Sequence, residues 1–461
     1  MMAAMQLSSL ANNFGWQLLG DDCAIESVSI DSRKPLKGSL FVALRGDNFD
    51  GHDYISQAQQ AGAVAVLVET KADVSVPQLI CDDSLKGLAS LAQFNIQRFE
   101  RPVITLTGSA GKTTTKAMIA HILASQAPTL ATTGNLNNEI GAPLTALAIS
   151  AEHRFAVVEM GAAKQGDIAY LCRYIKPTIA LVTNAGDAHI GGFGSEQGIA
   201  EGKGEIYEAL GASDTAVINA DSPYETYWQN KAGGAHIIRF GCGVNADVRA
   251  DDIQHNLTGS RFTLSFDGQQ ARVQLNMPGQ HNVMNALAAV TCCIAVGIKL
   301  DVIARSLHGF TGVGARLSFV GGIHGAKIIN DTYNANPSAF RAAIDVLAYA
   351  SGEKVLVMGA MAELGERSDQ SHRDIARYAL DAGVSRLLAV GKETQVAVEE
   401  FGINATWYET KQVLVAALSA QMTKEQTILV KGSRSAGMET VVNSITDNTE
   451  ANVSNTRGGT C

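Results

Sequence analysis

The sequence predicts an α/β protein of three domains, and three observations support this prediction. The chain has 461 residues, a length typical of about three ordinary domains. From about residue 85 onward, apolar runs with the character of strands alternate with stretches of helical period, as in parallel sheets covered by helices. Residues 101–116, RPVITLTGSAGKTTTK, have the order strand, glycine turn and helix start. We expect a small α/β domain over 1–84, a central parallel-sheet domain over 85–313 and a domain of βα units over 314–461.

The composition excludes several classes of protein. With 46% hydrophobic and 18% charged residues the chain can bury real cores and is globular. A formal net charge of -9 argues against nucleic acid as a partner, because such binding needs a basic face. No window supplies the ~20 consecutive apolar residues of a membrane span, and residues 1–15 lack the pattern of a signal peptide. We therefore expect a cytoplasmic protein without a membrane span.

The cysteines indicate neither a disulfide framework nor a zinc site. Their number is odd and no CxxC spacing occurs. Cys292 and Cys293 lie in an apolar helical run, which predicts small buried thiols and not ligands. The others are Cys23, Cys81, Cys172, Cys242 and Cys461.

The N-terminal region has the pattern of a small α/β unit. Strands are predicted at 27–30, 39–44 and 63–69, and a helix at 53–61 with Asp53 near its cap. The segment DSRKPLKG places Ser32 and Arg33 on a turn between the first two strands. These residues form either a solvated turn with an exposed arginine or a contact to a diphosphate.

The glycine turn after the apolar run 103–107 has the features of a phosphate-binding loop. Gly108 and Gly111 relax the backbone, and Lys112 and Thr113 begin the helix, so that backbone N–H groups face an anion. Lys112 would reach the terminal phosphates and the Thr113 hydroxyl a Mg²⁺ ion. The spacing departs from the Walker pattern, since Leu106 stands where its first glycine is expected. An ordinary tight strand–helix turn is the alternative.

Three polar residues lie at or beyond the ends of later strands in the central region. Glu159 closes FAVVEM, His189 follows IALVTN, and Lys203 lies in EGKGEIY. Each has an ordinary explanation as a solvated carboxylate, a histidine with one hydrogen bond and a surface lysine paired with glutamate. Beside a phosphate loop, however, a carboxylate and an imidazole are suitable Mg²⁺ ligands.

The remaining motifs follow in order. In PGQHNVMN, Asn282 either caps a helix or contacts a nucleobase. Glycines at 312–316 predict a hinge or linker.

The runs KIIND, KVLVMG, RLLAVG and TILVKG predict strands of a further α/β domain. Polar residues follow some of these strands, and the carboxyl ends of strands are where ligands bind in α/β sheets. No GxGxxG follows them, which argues against a dinucleotide enzyme, and the polar tail 446–461 is predicted to fray.

Taken together, these stretches resemble the Mur ligase family, whose members are ATP-dependent, amide-forming enzymes of peptidoglycan precursor synthesis. The short GxxGK[TS] loop is that family's own form, which explains the departure from Walker spacing. GNLNNEIG, DTYNANP and VKGSRSAGME are typical of members that couple UDP-N-acetylmuramoyl-tripeptide to D-alanyl-D-alanine. The resemblance covers essentially the whole chain through DSRKPLKGSLFVALRG, TLTGSAGKTTTK, GNLNNEIGAP, VVEMGA, AHIGGFGS, KGEIY, PGQHN, DTYNANP, MAELGE and LVKGSRSAGME.

The resemblance implies a fold and a set of ligands. It implies a UDP-substrate-binding N-terminal domain, a central ATP-binding P-loop domain and a Rossmann-like C-terminal domain for the incoming dipeptide. ATP is the implied cosubstrate, Mg²⁺ the cofactor, and CO₂ the reagent that carbamylates Lys203. The partners are UDP-N-acetylmuramoyl-tripeptide and D-alanyl-D-alanine, and the family favours a monomer.

It also implies roles for individual residues. Catalysis is assigned to Lys112, Lys203, His189 and Glu159, and metal binding to Thr113, Glu159, His189 and Lys203 as a carbamate. ATP contacts are assigned to Thr107, Gly108, Ser109, Ala110, Gly111, Lys112, Thr113, Asn282, Arg316 and Asp331. Substrate contacts are assigned to Asp31, Ser32 and Arg33 for the uridine diphosphate end, to Asn137 and Asn138 for the sugar peptide, and to Asn334, Asn336, Lys431, Ser433 and Arg434 for the dipeptide.

Five positions depart from the family's pattern. Ala163 and Lys164 stand where Asn-His is usual, Gly191 where Glu is usual, and Ala360 where Asp is usual. These changes affect the expected peptide contacts and leave the ATP and metal positions intact. Ala315 replaces the usual Gly before Arg316, and this substitution is expected to alter the backbone conformation of the hinge turn.

The implied reaction has two rivals. A sibling ligase, such as another Mur member or a folylpolyglutamate synthase, would share the central domain. A nucleotide-binding module that only switches conformation would share the P-loop. The polar residues of the third domain favour a ligase, because a module that only binds a nucleotide does not require a second set of polar site residues.

Overall fold

The computed structural model describes residues 2–46, 48–186 and 190–447, and it confirms the predicted α/β architecture. Three large sheets follow one another along the chain, with five, nine and six strands. Each is mainly parallel and carries helices. None of the helices in the described ranges is both long and apolar enough to cross a bilayer.

The five-stranded sheet belongs to the N-terminal region. In spatial order its strands are Gln17–Leu19, Gln78–Ile80, Ala65–Val68, Ser39–Val42 and Ser27–Ser29. The first pair is antiparallel and the others are parallel. The helices Leu7–Phe14 and Ile55–Gln60 belong to the same region, with the short antiparallel pairs Met5–Gln6 with Ala24–Ile25 and Arg45–Gly46 with Phe49–Asp50.

The predicted helix at 53–61 is shorter in the structure, and Asp53 lies directly before its N-cap residue, Tyr54. A 3₁₀ turn, Gly51–Tyr54, precedes the α-helix Ile55–Gln60. Asp50 and not Asp53 caps this turn, because the Asp50 side chain accepts the backbone N–H of His52 at 2.9 Å. Asp53 lies inside this turn, next to Tyr54, the N-cap residue of the α-helix, which forms no side-chain cap hydrogen bond.

The nine-stranded sheet is the centre of the molecule. In spatial order it contains Thr129–Ala131, Phe155–Glu159, Val103–Thr107, Ile179–Val182, Thr215–Asn219, His236–Gly241, Val248–Asn256, Gly259–Phe266 and Gln269–Leu275. The strand Val103–Thr107 pairs in parallel on both sides and is buried along its whole length, as its apolar, β-branched sequence requires. Helices of this region are Ser84–Gln97, Lys112–Ala124, Gly141–Leu147, Asp167–Tyr174, Ile190–Phe193, Glu196–Glu208, Glu225–Lys231, Gln280–Ala295 and Leu300–His308.

The last three strands of this sheet were not predicted as a separate feature. Residues 248–275 form an antiparallel meander at its edge. More buried and less buried residues alternate along Val248–Asn256, which is the period of a half-solvated strand. This meander is therefore the part of the sheet that does not follow the βα alternation.

The six-stranded sheet confirms the four predicted strands of the third region and adds two at its edges. Its order is Ser318–Gly321, Lys327–Asp331, Gln426–Lys431, Glu353–Gly359, Arg386–Val390 and Ala405–Tyr408, with only the first pair antiparallel. Thr446 of the predicted frayed tail forms a bridge to Gly322, and residues 448–461 lie outside the described ranges. The helices are Pro337–Ala348, Ser368–Asp381, Gln395–Phe401, Lys411–Ser419 and Glu439–Ile445.

Continuous cores join these layers. One cluster runs from Leu40 and Leu67 of the first sheet to Val158 and Ala180 of the central sheet, so these two regions share a core. Separate clusters fill the other face of the central sheet and the two faces of the third sheet. Cys292 and Cys293 are fully buried free thiols, as predicted.

Candidate active site

A cavity of about 750 Å³ lies between the central and third sheets, at the carboxyl ends of their strands. This is where ligands bind in open α/β sheets. The central region contributes the P-loop, the loop after Ile179–Val182 and the start of Gln280–Ala295. The third region contributes residues after three of its strands. Its lining includes Lys112, Thr113, Glu159, Asn184, Asn282, Asn285, Arg316, Asp331, Asn334, Asn336, Glu363 and Lys431.

Both P-loop glycines are required by close packing. Gly108 has φ +153°, and a Cβ placed there would lie 1.9 Å from Thr183 Oγ1. Gly111 has φ +79° in the left-handed region, and its Cβ would lie 2.2 Å from Asn285 Oδ1. Side chains of neighbouring elements therefore fill the space beside the loop, which explains how a shortened loop holds its shape.

Asn184 and its neighbours hold the other P-loop residues. Its side chain accepts the Ala110 N–H at 3.0 Å and donates to the Ala110 carbonyl at 3.0 Å. Thr183 Oγ1 donates to the same carbonyl at 2.7 Å, and Ser109 Oγ donates to Gly186 O at 3.1 Å. The predicted ATP residue Thr107 ends the buried strand behind the loop.

Lys112 begins the P-loop helix Lys112–Ala124 and lines the cavity. Its Nζ donates to the Gly108 carbonyl at 2.5 Å, so the side chain folds back over the loop. Burial lowers the pKa of the Lys112 ammonium, and the charge of Arg316 lowers it further, while Glu159 opposes this change. The ammonium is thus placed above the backbone amides that would receive a phosphate.

Glu159 and Thr113 form the oxygen pair that the sequence predicts for Mg²⁺. Thr113 Oγ1 donates to Glu159 Oε1 at 3.3 Å, and Asn137 Nδ2 donates to the same oxygen at 2.8 Å. Glu159 Oε2 is buried without a hydrogen bond among the described residues, although Lys116 Nζ lies 3.2 Å away as an ion-pair partner. A hydroxyl beside a carboxylate oxygen with spare acceptor capacity fits a hard cation such as Mg²⁺.

A metal at this point would need further ligands. Within the described ranges, no group of three or more histidine, cysteine or acidic side chains converges on one point. Mg²⁺ commonly uses one or two carboxylates and completes its shell with substrate phosphates and water. The donor set therefore suits a metal bound together with a nucleotide. His189, a predicted metal ligand, lies outside the described residues.

Lys203 is almost fully buried, and this excludes the ordinary explanation of a surface lysine. It lies on the helix Glu196–Glu208 with 1% of its surface exposed, and its Nζ is 5.3 Å from the centroid of the Phe193 ring. Burial lowers the pKa of Lys203 to about 7, with a contribution from the charge of Lys112. A large fraction of this amine is therefore neutral at physiological pH.

Arg316 reaches from the third region into the P-loop. Its guanidinium lies 3.8 Å from the centroid of the Tyr333 ring, and its Nη2 donates to Thr113 Oγ1 at 3.0 Å. The residues on either side of it, Ala315 and Leu317, have left-handed backbones with φ +58° and +51°. The predicted hinge at 312–316 is thus a strained turn that aims this arginine at the P-loop.

Asp331 and Lys431 form a buried ion pair at the ends of adjacent parallel strands. Lys431 Nζ also donates to the Asn334 carbonyl at 2.8 Å, and Asp331 Oδ1 accepts the Leu317 N–H at 3.1 Å. Asn336 lines the cavity but also caps the helix Pro337–Ala348, since it accepts the Ala339 N–H at 2.8 Å. These residues form one connected polar wall.

Asn282 does not cap its helix. Gly279 precedes the helix Gln280–Ala295, and Asn282 Nδ2 donates back to the Pro278 carbonyl at 2.8 Å. Asn285 was not predicted as a site residue, although it accepts a hydrogen bond from Thr115 Oγ1 at 3.3 Å and packs against Gly111. Its position three residues after Asn282, on the same helical face, was the signal that could have revealed it.

Several predicted site residues lie outside this cavity lining. Arg33 pairs with Asp31 at 2.8 Å on an exposed turn, where the salt bridge lowers the pKa of Asp31 to about 2, and Ser32 Oγ donates to Gln57 Oε1 at 3.0 Å. Asn138 accepts the Gly141 N–H at 2.9 Å. Ser433 is buried and Arg434 is exposed. Their substrate roles remain predictions.

Comparisons with known proteins agree with this arrangement. Three family models match in succession: the Mur ligase family catalytic domain over residues 24–100, the Mur ligase middle domain over 106–293 and the Mur ligase glutamate ligase domain over 315–434. The UDP-N-acetylmuramoyl-tripeptide–D-alanyl-D-alanine ligase of Escherichia coli is 40% identical over 450 residues, covering 97% of this chain and 99% of that protein.

Two solved structures are similar over nearly their whole length. A crystal structure of MurF from Acinetobacter baumannii has 34% identity and a TM-score of 0.90, covering 96% of this chain and 98% of that one. MurF from Thermotoga maritima, solved in complex with ADP, has 28% identity and a TM-score of 0.82, covering 91% of this chain and 96% of that one. The chain therefore belongs to the Mur ligase family.

Proposed function

We propose that this protein is an ATP-dependent ligase that joins D-alanyl-D-alanine to UDP-N-acetylmuramoyl-tripeptide in peptidoglycan precursor synthesis. The E. coli relative that carries this activity in its name aligns with nearly the whole chain. The observation that carries the proposal is the shared cavity, in which Lys112 and the Thr113–Glu159 pair of one region face Arg316 and Lys431 of another. A cavity of this kind holds a nucleotide and an acceptor together.

The first step is phosphoryl transfer. The C-terminal carboxylate of the tripeptide attacks the γ-phosphorus of ATP, the bond to the β-phosphate oxygen breaks, and ADP leaves. The transferred group carries much charge, so the protein's contribution is positioning and electrostatic stabilisation. Lys112 lies above the P-loop amides, and Arg316 approaches the same point from the third region.

The second step forms the amide. The neutral amine of D-alanyl-D-alanine attacks the acyl phosphate, a tetrahedral oxyanion forms, and inorganic phosphate leaves as the amine loses a proton. Acyl phosphates hydrolyse, so the site has to exclude water during this step. The third region forms one wall of the cavity and supplies that cover.

The metal and the carbamate are part of the same proposal. Thr113, Glu159 and His189 are the proposed ligands of Mg²⁺, which supplies charge neutralisation to the phosphates when it is bound. Lys203 is the proposed carbamate: its neutral amine adds to CO₂, forming an N–C bond and releasing a proton. Burial and a pKa of about 7 support this assignment, because the reaction needs the uncharged amine.

The domains divide the substrates among themselves in this proposal. Residues 1–84, with Asp31, Ser32 and Arg33, take the uridine diphosphate end, and residues 85–313 take ATP, with Asn137 and Asn138 towards the sugar peptide. Residues 314–461, with Asn334, Asn336, Lys431, Ser433 and Arg434, take the dipeptide. The enzyme acts as a cytoplasmic monomer, as the family pattern favours.

A panel of acceptors tests the reaction. The purified protein is incubated with ATP, Mg²⁺ and UDP-N-acetylmuramoyl-tripeptide containing diaminopimelate or lysine, and phosphate release is measured with D-alanyl-D-alanine, single amino acids or glutamate. Release that requires the tripeptide and D-alanyl-D-alanine supports the proposal. Lys112→Ala should lose at least about 100-fold in turnover, and the exposed Lys86→Ala should not. Efficient use of glutamate or a single amino acid would assign the chain to a sibling activity.

The carbamate has a test that does not depend on turnover. Protein equilibrated with ¹³C-bicarbonate should show a carbamate resonance that is absent from Lys203→Ala and retained by Lys176→Ala, whose side chain is exposed. A small carboxylic acid should partly restore activity to Lys203→Ala. An active wild-type enzyme without this resonance would argue against the carbamate.

A further inference from the structure

His372 is a buried histidine that the proposed mechanism does not use. It lies on the helix Ser368–Asp381, away from the cavity lining, and none of its surface is exposed. Fully buried histidines need partners for both ring nitrogens. Both partners here are backbone groups on either side of a loop that lines the cavity.

The two hydrogen bonds determine the protonation state of the ring. Nε2 lies 3.1 Å from the backbone nitrogen of Met361, which can only donate, so Nε2 has to accept. Nδ1 lies 2.7 Å from the carbonyl oxygen of Ser368, which can only accept, so Nδ1 carries the hydrogen. A neutral imidazole protonated at Nδ1 satisfies both groups. A charged ring would place a second N–H against the Met361 N–H.

The loop that this ring holds forms part of the cavity wall. Ala362, Glu363 and Leu364 line the cavity immediately after Met361. Glu363 has a left-handed backbone with φ +63°, a conformation that costs a non-glycine residue free energy. Such a turn persists only where its surroundings enforce it, and the Met361 anchor is two residues away.

The same loop is tied to the neighbouring strand end. The Ala360 carbonyl accepts the Ser433 N–H at 2.9 Å, and Gly359 packs against Met438 so closely that a Cβ there would lie 2.6 Å from Met438 Cγ. Ser433 follows Lys431, which bonds to Asn334. The wall held by His372 is therefore continuous with the polar wall of the third region.

We propose that His372, as the neutral Nδ1–H tautomer, is a positioning residue that fixes the 361–364 wall and thereby sets the affinity of the site for the incoming dipeptide. This inference rests on the proposed function, since it assigns the acceptor to the third region. His372 touches no substrate and acts through Met361. The nucleotide is assigned to the P-loop and to Asn282, Arg316 and Asp331, and the partners of His372 are instead Met361 and Ser368, so ATP binding should depend little on this wall.

The electrostatic surroundings agree with a neutral ring. Burial lowers the pKa of His372, opposed by the Ser368 carbonyl and by the charges of Glu393 and Asp369. Asp369 lies on the same helix, and Glu393 lies on the 3₁₀ turn Lys392–Thr394. The favourable interaction of these two carboxylates with a charged ring therefore does not outweigh desolvation, which disfavours the charged form.

Steady-state kinetics of three variants test the inference. His372→Phe keeps the volume but leaves the Met361 N–H unpaired, and it should raise the KM for D-alanyl-D-alanine about tenfold, the size expected for one unpaired buried donor. The KM for ATP should change less than about twofold. His372→Gln can still accept from Met361 and should recover part of the loss. Arg377→Ala, an exposed change on the same helix, should match the wild type.

A spectroscopic measurement keeps the test independent of variant folding. In wild-type protein labelled with ¹⁵N-histidine, His372 should show a protonated Nδ1 and an unprotonated Nε2 at pH 7, and the Met361 amide should be protected from hydrogen exchange. The opposite tautomer, a charged ring or an unprotected amide would overturn the inference. Equal KM increases for ATP and dipeptide would also overturn it. A wild-type protein that couples no dipeptide would instead refute the proposed function.

Discussion

Arg316 donates a hydrogen bond of 3.0 Å from Nη2 to Thr113 Oγ1, which joins the first residues of the third region to the start of the P-loop helix. The same hydroxyl donates to Glu159 at 3.3 Å. One lone pair of Thr113 Oγ1 thus remains for another partner. The contact places a permanent positive charge where phosphates are proposed to bind, and it depends on the relative position of two domains.

Removal of this arginine should weaken catalysis strongly. Arg316→Ala should lower kcat/KM for ATP by at least about 100-fold, because a guanidinium that stabilises transferred charge contributes several kcal/mol. Arg316→Lys should recover only part, since lysine cannot stack on Tyr333 in the same way. The measurement is phosphate release at varied ATP. Arg305→Ala, an exposed arginine paired with Asp301, is the matched control, and equal activity of both variants would contradict the role.

Gly111 should not tolerate alanine. The added Cβ would lie 2.2 Å from Asn285 Oδ1 on a left-handed backbone, so the loop or the asparagine has to move. Gly111→Ala should weaken ATP binding at least about tenfold, measured by calorimetry, with a small change in melting temperature. Gly234→Ala, where nothing lies within 4 Å of the new Cβ, should bind ATP normally. Normal ATP binding by Gly111→Ala would show that the loop can accommodate a Cβ atom and would contradict this prediction.

His281 should make the fold sensitive to acid. It lines the cavity, and burial lowers its pKa to about 4. Because the folded value lies below the ordinary 6.5, the unfolded chain binds a proton that the folded chain does not. Stability should therefore fall as the pH drops from about 6.5 to about 4, by up to about 3 kcal/mol, with no further loss from this group below that range. Urea unfolding at several pH values measures it.

Two substitutions isolate this contribution. His281→Gln should flatten the pH dependence between 6.5 and 4 relative to the wild type. His236→Gln, at an exposed position, should leave the dependence unchanged. Identical curves for wild type and His281→Gln would mean that the His281 ring does not control acid stability.

Ala315 should accept glycine at no cost. Its φ of +58° is strained for alanine and free for glycine, and this gain offsets the added flexibility of the unfolded chain. Ala315→Gly should keep or raise the melting temperature. Ala416→Gly, exposed in the middle of the helix Lys411–Ser419, should lower it by about 2–4 °C. A similar loss in both variants would refute the claim of strain at 315.

Local chemistry predicted much of this protein, and long-range packing accounts for what it missed. The P-loop, the strand-end carboxylate Glu159 and the strands around Asp331 and Lys431 follow from short-range patterns, because parallel strands gather their polar ends at one edge. Asn285 and Asn184 were missed, since their roles come from contacts with residues 170 and 74 positions away in the sequence. The cap that Asp50 forms on the 3₁₀ turn was also not predicted, because cap propensity does not fix position.

The burial of individual side chains also could not be predicted from the sequence. A lysine among glutamates is typical of the surface, yet Lys203 is almost fully buried, with its Nζ 5.3 Å from the centroid of the Phe193 ring. The antiparallel meander was also missed, because it interrupts a βα rhythm that the rest of the region obeys. Tertiary context overrides local pattern at both places.

The meander Val248–Leu275 extends the central sheet towards the third domain. The ring of His255 lies 5.8 Å from that of Tyr349, and Leu257 packs against the apolar cluster that contains Phe340 and Leu347. The meander therefore packs against the third domain and supplies none of the residues proposed to react or to bind substrate. A chain with a shortened hairpin here would keep every reactive group and lose these contacts, so the packing of the third domain against the central sheet can change without any change in the reacting residues.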